Sequence, residues 1–192
     1  MKTIHIFLIF IVVVLLQLFV PAKMILDRED VIKTGTQYKF KTQPVDPNDP
    51  FRGKYVTLNY EIDSAEAVAM DSTIQRGDKI LVYLDTDSLG YAKLHSVSKY
   101  KINTERDYVE AKVQWYNLNN KKVNFQLEFN RYYMEEFKAK PAEDIYRKYN
   151  SRQDSIHNTY ALVAVKEGEA VLKDVYINDK SIHYYIEKEA NQ

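Results

Sequence analysis

The amino-terminal segment constrains the fold of this chain more than any other feature. From Thr3 to Ala22 no residue carries a formal charge, and Ile, Val, Leu and Phe fill almost the whole run. At about 1.5 Å per residue, a helix of this length spans roughly 30 Å, which is the thickness of the hydrocarbon core of a bilayer. The run therefore predicts a single membrane-spanning helix.

A cleaved signal peptide is the alternative interpretation of this run, because residues 20–22 (Val-Pro-Ala) are small or tolerated at a cleavage site. The run is longer than the usual signal core of about 7–15 residues, and only Lys2 provides a charge before it. We therefore favour an uncleaved signal anchor in the cell membrane. Lys2 favours a cytoplasmic amino terminus, which would leave the rest of the chain outside the cytoplasm.

Residues 23–32 continue the helical register beyond the apolar run, and Thr34-Gly35 then ends it. The apolar side chains of this extension are expected on one side of the helix: Ile25, Leu26, Val31 and Ile32. We therefore predict two parts, joined without a long flexible linker. Residues 1–33 form the membrane anchor with its juxtamembrane extension, and residues 34–192 form an extracytoplasmic β-rich domain.

Composition excludes several classes of protein and favours strands. Lys plus Arg and Asp plus Glu both number 27, so no basic surplus indicates nucleic-acid binding. The chain has no cysteine, which excludes disulfides, thiolate zinc sites and cysteine nucleophiles. None of the four histidines has a metal-binding spacing, and we expect no metal or cofactor. Sixteen Tyr and only five Gly favour β-structure.

Alternating apolar and polar residues predict a series of hairpins. The fold class expected is mostly β: an antiparallel sheet or barrel-like domain of hairpins with one short helix. Residues 63–70 fit either a strand extension or a short helix. The predicted strands are residues 37–42, 55–60, 80–84, 91–98, 108–116, 123–129, 160–165, 171–177 and 182–186.

The short helix is predicted over residues 141–149. Pro141 suits a first helical position, acidic residues follow it at 143 and 144, and basic residues lie at 147 and 148. Two pairs of adjacent tyrosines, 132–133 and 184–185, are assigned to strands. Because neighbouring residues of a strand face opposite sides, at least one ring of each pair is expected to be exposed.

The segment 45–62 combines a shaped loop with an amphipathic strand. Asp and Pro residues fill the loop, and Gly53 is free to adopt a positive φ. Alternation then separates two sets of side chains. We expect the more apolar set to face the core: Val56, Leu58 and Tyr60. The other set is Tyr55, Thr57 and Asn59.

Tyr55 has two possible roles. Its ring can fold back over Pro50 and Phe51 and hold the loop, which is the role we favour because a Pro-rich loop needs an apolar cover. Alternatively, it is exposed as the anchor of a binding surface, a position at which Tyr is favoured.

Asp46, Asp49 and Arg52 are the charged candidates in this loop. They fit a hard-cation site or a catalytic carboxylate pair, or an Asp-capped turn in which Arg52 pairs with one carboxylate. We favour the capped turn, because a Ca²⁺ loop needs about six or more oxygen ligands at regular spacing.

The same segment resembles the GDYXXLXY family of bacterial membrane-anchored proteins. Lys54 replaces the Asp of the motif, so this chain reads GKYVTLNY. The resemblance extends to the end of the anchor near Pro21, to residues 132–136 and to the hairpin 164–173. The matching residues of the motif region are Pro44–Pro47, Asp49–Gly53, Tyr55, Leu58 and Tyr60.

The resemblance implies a membrane protein without an assigned activity. Members of the family are often encoded beside multi-pass membrane proteins, which suggests a membrane partner. We therefore expect a binding or accessory module of the cell envelope that is not an enzyme and does not bind nucleic acid. The alternative is an envelope hydrolase with an acid cluster near the 46–52 loop.

Overall fold

A computed structural model of the chain describes residues 3–43, 55–64, 74–117, 122–150 and 158–190. The protein is mostly β, with an apolar amino-terminal helix and antiparallel sheets that include a curled half-barrel. The predicted fold class is therefore confirmed.

The described chain contains three α-helices, eleven strands and a 3₁₀ turn at Glu61–Ser64. The helices are α1 (Thr3–Thr34), α2 (Glu136–Tyr149) and α3 (Ile182–Ala190). The strands are β1 (Thr36–Gln43), β2 (Tyr55–Thr57), β3 (Asn59–Tyr60), β4 (Lys79–Thr86), β5 (Ala92–Ser98), β6 (Tyr108–Asn117), β7 (Lys122–Leu127), β8 (Arg131–Tyr133), β9 (Thr159–Lys166), β10 (Glu169–Ile177) and β11 (Lys180–Ser181).

Helix α1 is long and apolar enough to cross a membrane, and it leads directly into the domain. It ends where the Gly35 amide donates to the Val31 carbonyl at 2.9 Å, and β1 begins at the next residue. A Cβ at position 35 would lie 2.6 Å from the Val31 oxygen and 2.9 Å from the Val165 oxygen, so only glycine fits. The predicted direct connection is therefore confirmed.

The apolar residues of the helix extension do not share one environment, contrary to our expectation. Val31 is buried against the domain, whereas Ile25 and Leu26 are each 68% exposed. The difference follows from where the helix meets the sheet, since its contacts with the β9–β10 hairpin begin at Arg28.

Three antiparallel arrangements of strands form the domain. A five-stranded sheet has the order β11-β10-β9-β1-β3, a four-stranded sheet has the order β5-β4-β6-β7, and β2 pairs with β8 as a two-stranded ribbon. Two isolated parallel bridges, Lys39 to Tyr91 and Val109 to Gly168, connect the larger sheets at their margins. The sheets thus curve around one core.

The predicted strand 55–60 is divided into two strands that belong to different sheets. β2 pairs with β8, and β3 pairs with β1. The break occurs at Leu58, whose amide donates to the Asn130 carbonyl at 2.9 Å, just before β8 begins. The alternation nevertheless persists through the break, because Val56, Leu58 and Tyr60 are all buried.

An aromatic cluster holds the centre of the core. The ring centroid of Phe40 on β1 lies 5.7 Å from that of Tyr60 and 5.1 Å from that of Phe129. The Tyr60 hydroxyl donates to the Phe129 carbonyl at 2.8 Å. Burial raises the pKa of Tyr60 well above its ordinary value, so this hydroxyl keeps its proton and remains a donor.

Helix α2 begins five residues before the predicted start. Lys138 and Ala139 both donate to the Glu135 carbonyl, and these bonds close a first turn ahead of Pro141. Proline near the start of a helix removes only one backbone bond, so the helix continues through it. The buried side chains of α2 are Ala139, Ala142, Ile145 and Tyr146.

The predicted strand 182–186 is wrong, because these residues form helix α3. Ile182 and Ile186 are both buried, and their spacing of four places them on one helical face as readily as on one strand face. The Tyr185 hydroxyl donates to the Ile177 carbonyl at 3.1 Å, which holds the helix against β10. The short strand β11 lies just before the helix, at Lys180–Ser181.

The first prediction concerns the motif leucine. Leu58→Ala should lower the free energy of unfolding by about 2–5 kcal/mol, because the side chain is fully buried and its removal leaves a cavity. Asn59→Ala is the matched control, because Asn59 is exposed beside it. Equal melting temperatures for the two variants would show that Leu58 is not a core residue.

The second prediction concerns Asp63 in the 3₁₀ turn. Burial raises its pKa from 3.8 to about 6, opposed by hydrogen bonds from the backbone amides of Tyr60 and Leu127. Since the folded state then binds this proton more tightly, the contribution of Asp63 to stability is fully present below about pH 4 and is lost as the pH rises through about 6. Thermal melts between pH 4 and 7 should show this decline.

Asp63→Asn should flatten the decline, because the amide side chain does not titrate. A decline of the same size in the variant would assign the pH dependence to other groups.

Candidate functional site

A cavity of about 580 Å³ lies between β8 and the first half of β10. Residues 131–133 line one side of it and residues 168–173 line the other. The remaining lining residues are Arg28 of α1, Glu110 of β6, and Glu128 and Phe129 of the β7–β8 turn. We call this cavity the β8–β10 groove.

The β9–β10 hairpin determines which backbone groups face the groove. Its two turn residues, Glu167 and Gly168, both have positive φ, 50° and 93°, as a tight two-residue turn requires. The turn is closed by the pair Lys166 and Glu169. In a two-residue hairpin the closing pair is hydrogen-bonded, and the pairs alternate from there.

Ala170 and Leu172 consequently direct their backbone groups away from β9. The Arg28 guanidinium donates to the Ala170 carbonyl at 3.1 Å, as this geometry allows. Strand β11 pairs with β10 only at Tyr176 and Ile177. β6 reaches the other edge of this arm at Gly168, whose carbonyl accepts from the Glu110 amide at 3.3 Å. Among the described strands, therefore, the stretch from Ala170 to Leu172 is paired on one side only.

A β-bulge ends this free edge. The pairing with β9 shifts between Leu172 and Asp174, which leaves Lys173 as the extra residue. The side chain of Lys173 lines the groove. A bulge bends and twists its strand, so the edge is straight only over a short length.

A hydrogen-bonded cluster joins the two walls beyond the bulge. The Tyr132 hydroxyl donates to Asp174 Oδ1 at 2.9 Å, and His183 Nε2 lies 3.1 Å from the same hydroxyl. Because the Tyr132 hydroxyl donates its proton to Asp174, the His183 imidazole must donate to the Tyr132 oxygen in the second bond. Burial, together with the Asp174 charge, raises the pKa of Tyr132 well above its ordinary value, so the hydroxyl stays protonated.

The charges of the groove are only partly neutralised within the protein. Arg28 lies 3.7 Å from Glu169, and Lys79 lies 3.1 Å from Glu110. Arg131 and Lys173 line the groove from opposite walls, and no described carboxylate forms an ion pair with either of them. The lining holds as many acidic as basic residues, and Glu128 also has no ion pair among the described residues, so the unpaired groups are two cations and one carboxylate.

An aromatic surface lies beside the groove on the β2–β8 ribbon. The rings of Tyr55 and Tyr133 are 5.3 Å apart, and the Arg131 guanidinium lies 5.1 Å from the centre of the Tyr55 ring. Tyr133 is 63% exposed, whereas Tyr132, which points the other way, is buried. We call Tyr55, Arg131 and Tyr133 the ribbon patch.

The structure places only part of the predicted site. Leu58 and Tyr60 are core residues, and Tyr55 is half-buried in the ribbon patch. The loop candidates Asp46, Asp49, Arg52 and Gly53 lie outside the described residues, as do Pro50 and Phe51. Their roles, and the choice between the two roles of Tyr55, stay predictions.

The sequence indicated some of this surface and missed the rest. One exposed ring in each tyrosine pair was expected, and Tyr133 and Tyr184 are exposed as predicted. His183 was expected in the strand 182–186, but it contacts Tyr132 from α3. Lys173 lines the groove because of a bulge, and no residue pattern in this hairpin signals one.

Metal chemistry finds no support in the described part of the chain. No group of three or more His, Cys, Asp or Glu side chains there is arranged to hold a metal ion. Asp87, which precedes β5, caps its own turn: Oδ1 accepts from the amides of Leu89 and Tyr91 at 2.9 and 2.8 Å.

One comparison with known proteins supports the family resemblance that the motif residues indicate. No curated protein and no solved structure is significantly similar to this chain. The profile of one family, described as GDYXXLXY protein, matches residues 17–175. The match extends from the apolar helix through most of β10, and it includes the ribbon patch and both walls of the groove. The chain therefore belongs to the GDYXXLXY family.

Proposed function

We propose that this protein is a membrane-anchored binding domain that holds another membrane protein at the outer face of the cell membrane. In this arrangement α1 crosses the membrane with its amino terminus in the cytoplasm. The β-rich domain then lies immediately outside the bilayer and presents the ribbon patch and the groove to a partner in the same membrane.

The observation that carries this proposal is the fixed connection between helix and sheet. Lys166 Nζ, at the end of β9, lies 2.6 Å from an Asp30 carboxylate oxygen and 2.8 Å from the Thr34 hydroxyl. Arg28 bonds to the opposite strand of the same hairpin. The last turns of α1 are thus bound to the domain. A domain held this way keeps one face toward its neighbours in the membrane.

Exposed apolar residues on α1 support a partner close to the membrane. Met24, Ile25 and Leu26 follow the first charged residue after the apolar run, Lys23, and all three are more than 60% exposed. They lie between the spanning segment and the domain, where the helix of a multi-pass neighbour would pack against them.

The chemistry of the ribbon patch favours binding. Tyr and Arg are enriched among the residues that contribute most to protein–protein affinity, and here two tyrosines and an arginine form one surface. The alternative of a hydrolase depends on the 46–52 loop, and no described residue favours it.

The third prediction tests topology. A reporter that is active only outside the cytoplasm should be active when fused after Gln192. The mature protein should also retain its apolar segment, because α1 continues without interruption into the domain. Recovery of a soluble species that begins near Lys23 would contradict the anchor and indicate a secreted protein.

The fourth prediction tests partner binding. The native full-length chain, purified in mild detergent, should carry a stoichiometric membrane protein, and Tyr133→Ala should reduce that association at least fivefold. The domain should melt unchanged, because the ring is mostly exposed.

Leu89→Ala is the matched control, because it removes a 71% exposed side chain from the β4–β5 turn. Equal loss in both variants would refute a specific role of the ribbon patch. The absence of any stoichiometric membrane protein from the wild-type preparation would refute the proposed function itself.

A further inference from the structure

We propose that the β8–β10 groove binds an extended segment of the partner polypeptide, which adds as a short strand to the free edge of β10. This inference rests on the proposed function and specifies how the partner is held. It concerns chiefly the backbone of β10, while Arg131 and Tyr133 of the ribbon patch also line the groove.

The backbone of β10 provides the first argument. The amide of Ala170, and both the amide and the carbonyl of Leu172, point away from β9, and no described residue bonds to them. These two residues alternate along the strand, as the hydrogen-bonding residues of a ladder do. An added strand would satisfy them in the manner of β-augmentation.

The shape of the groove provides the second argument. Strand β8 pairs with β2 on one side only, and the cavity lies between β8 and the free edge of β10. At about 3.3 Å per residue, the stretch from Glu169 to Lys173 accommodates roughly four residues of extended chain. A volume of about 580 Å³ suits a peptide of that length.

The charges in the groove indicate the chemistry of the guest. Arg131 and Lys173 line opposite walls, and neither is paired with a described carboxylate. A guest with an acidic side chain between them would gain charge-assisted hydrogen bonds. Phe129 and Tyr132 supply apolar lining for a neighbouring side chain.

The position of Arg28 indicates which part of the partner binds. Arg28 lies six residues after Ala22, which is about 9 Å along the helix from the end of the apolar run. The groove that it lines therefore opens close to the headgroup layer. The guest is accordingly the stretch of the partner just outside its own membrane span.

The bulge at Lys173 and the bond from Arg28 to the Ala170 carbonyl limit how long a strand can be added. Bulges and charged side chains are the usual means by which proteins prevent open-ended pairing at a sheet edge. This edge admits a short guest and resists stacking of a second domain.

An anionic lipid headgroup is the competing occupant, because the same cations would attract a phosphate. A headgroup would bind through the side chains of Arg28, Arg131 and Lys173. It would leave the outward amides of Ala170 and Leu172 free to exchange with solvent. The state of these amides therefore separates the two occupants.

The fifth prediction uses a single backbone change. Ala170→Pro removes the outward amide and leaves the pairing with β9 intact, since proline is tolerated where the amide of an edge strand faces outward. Ala170→Val keeps the amide and is the matched control. The full-length chain in nanodiscs of zwitterionic lipid is used to select binders from a library of ten-residue peptides displayed in many copies, so that weak individual contacts are retained.

Selected peptides should contain an acidic residue and bind the Ala170→Pro variant at least tenfold more weakly than the Ala170→Val variant. Hydrogen exchange at Ala170 and Leu172 should slow when such a peptide is added to the wild-type protein. This second measurement needs no variant, so the test holds even if Ala170→Pro does not fold.

Three results would overturn the inference: no peptide is selected, bound peptides leave both amides unprotected, or the two variants bind peptide equally. Displacement of the peptide by nanodiscs containing phosphatidylglycerol, without protection of the amides, would assign the groove to lipid. If Ala170→Pro retains the co-purifying membrane protein while Tyr133→Ala loses it, the groove inference fails and the proposed function stands.

Discussion

The bond from the Tyr60 hydroxyl to the Phe129 carbonyl is the contact on which the arrangement of this domain depends. Tyr60 is fully buried, so an unpaired hydroxyl there would cost about 1–3 kcal/mol. The bond connects β3, which pairs with β1 of the five-stranded sheet, to the turn that follows β7 of the four-stranded sheet. One motif tyrosine thus joins the two sheets inside the core, where the Phe40 ring packs against both partners.

A series of contacts connects the bond between Tyr60 and Phe129 to the walls of the β8–β10 groove. Leu58, between the two halves of the motif segment, donates to Asn130 and so fixes the start of β8. Strand β8 carries Tyr132, which bonds to Asp174 on β10 and contacts His183 on α3. The buried residues of the family motif therefore set the position of both groove walls without lining the groove. Under the proposed function, a motif made largely of core residues would act by positioning the binding surface.

The sequence predicted the features that depend on local patterns. Alternation placed Val56, Leu58 and Tyr60 in the core, and the apolar run indicated α1. The sequence could not show that the motif strand changes partner at Leu58, because the change depends on a carbonyl about 70 residues later in the chain. Helix α3 was missed because apolar residues four apart fit both periodicities. The groove could not be predicted either, because its walls come from strands distant in sequence and one of them depends on a bulge.

The proposed membrane anchor would compensate for the low affinity expected of the proposed groove. A guest of about four residues forms few backbone bonds, each worth roughly 1 kcal/mol net, so such a site binds a free peptide weakly. A partner confined to the same membrane is different, because an attached segment reaches the site at an effective concentration in the millimolar range. In the proposed membrane arrangement, the fixed junction at Gly35 would contribute to this by holding the groove at a constant height above the bilayer. Under this proposal, a weak site would be sufficient to hold a partner in the same membrane.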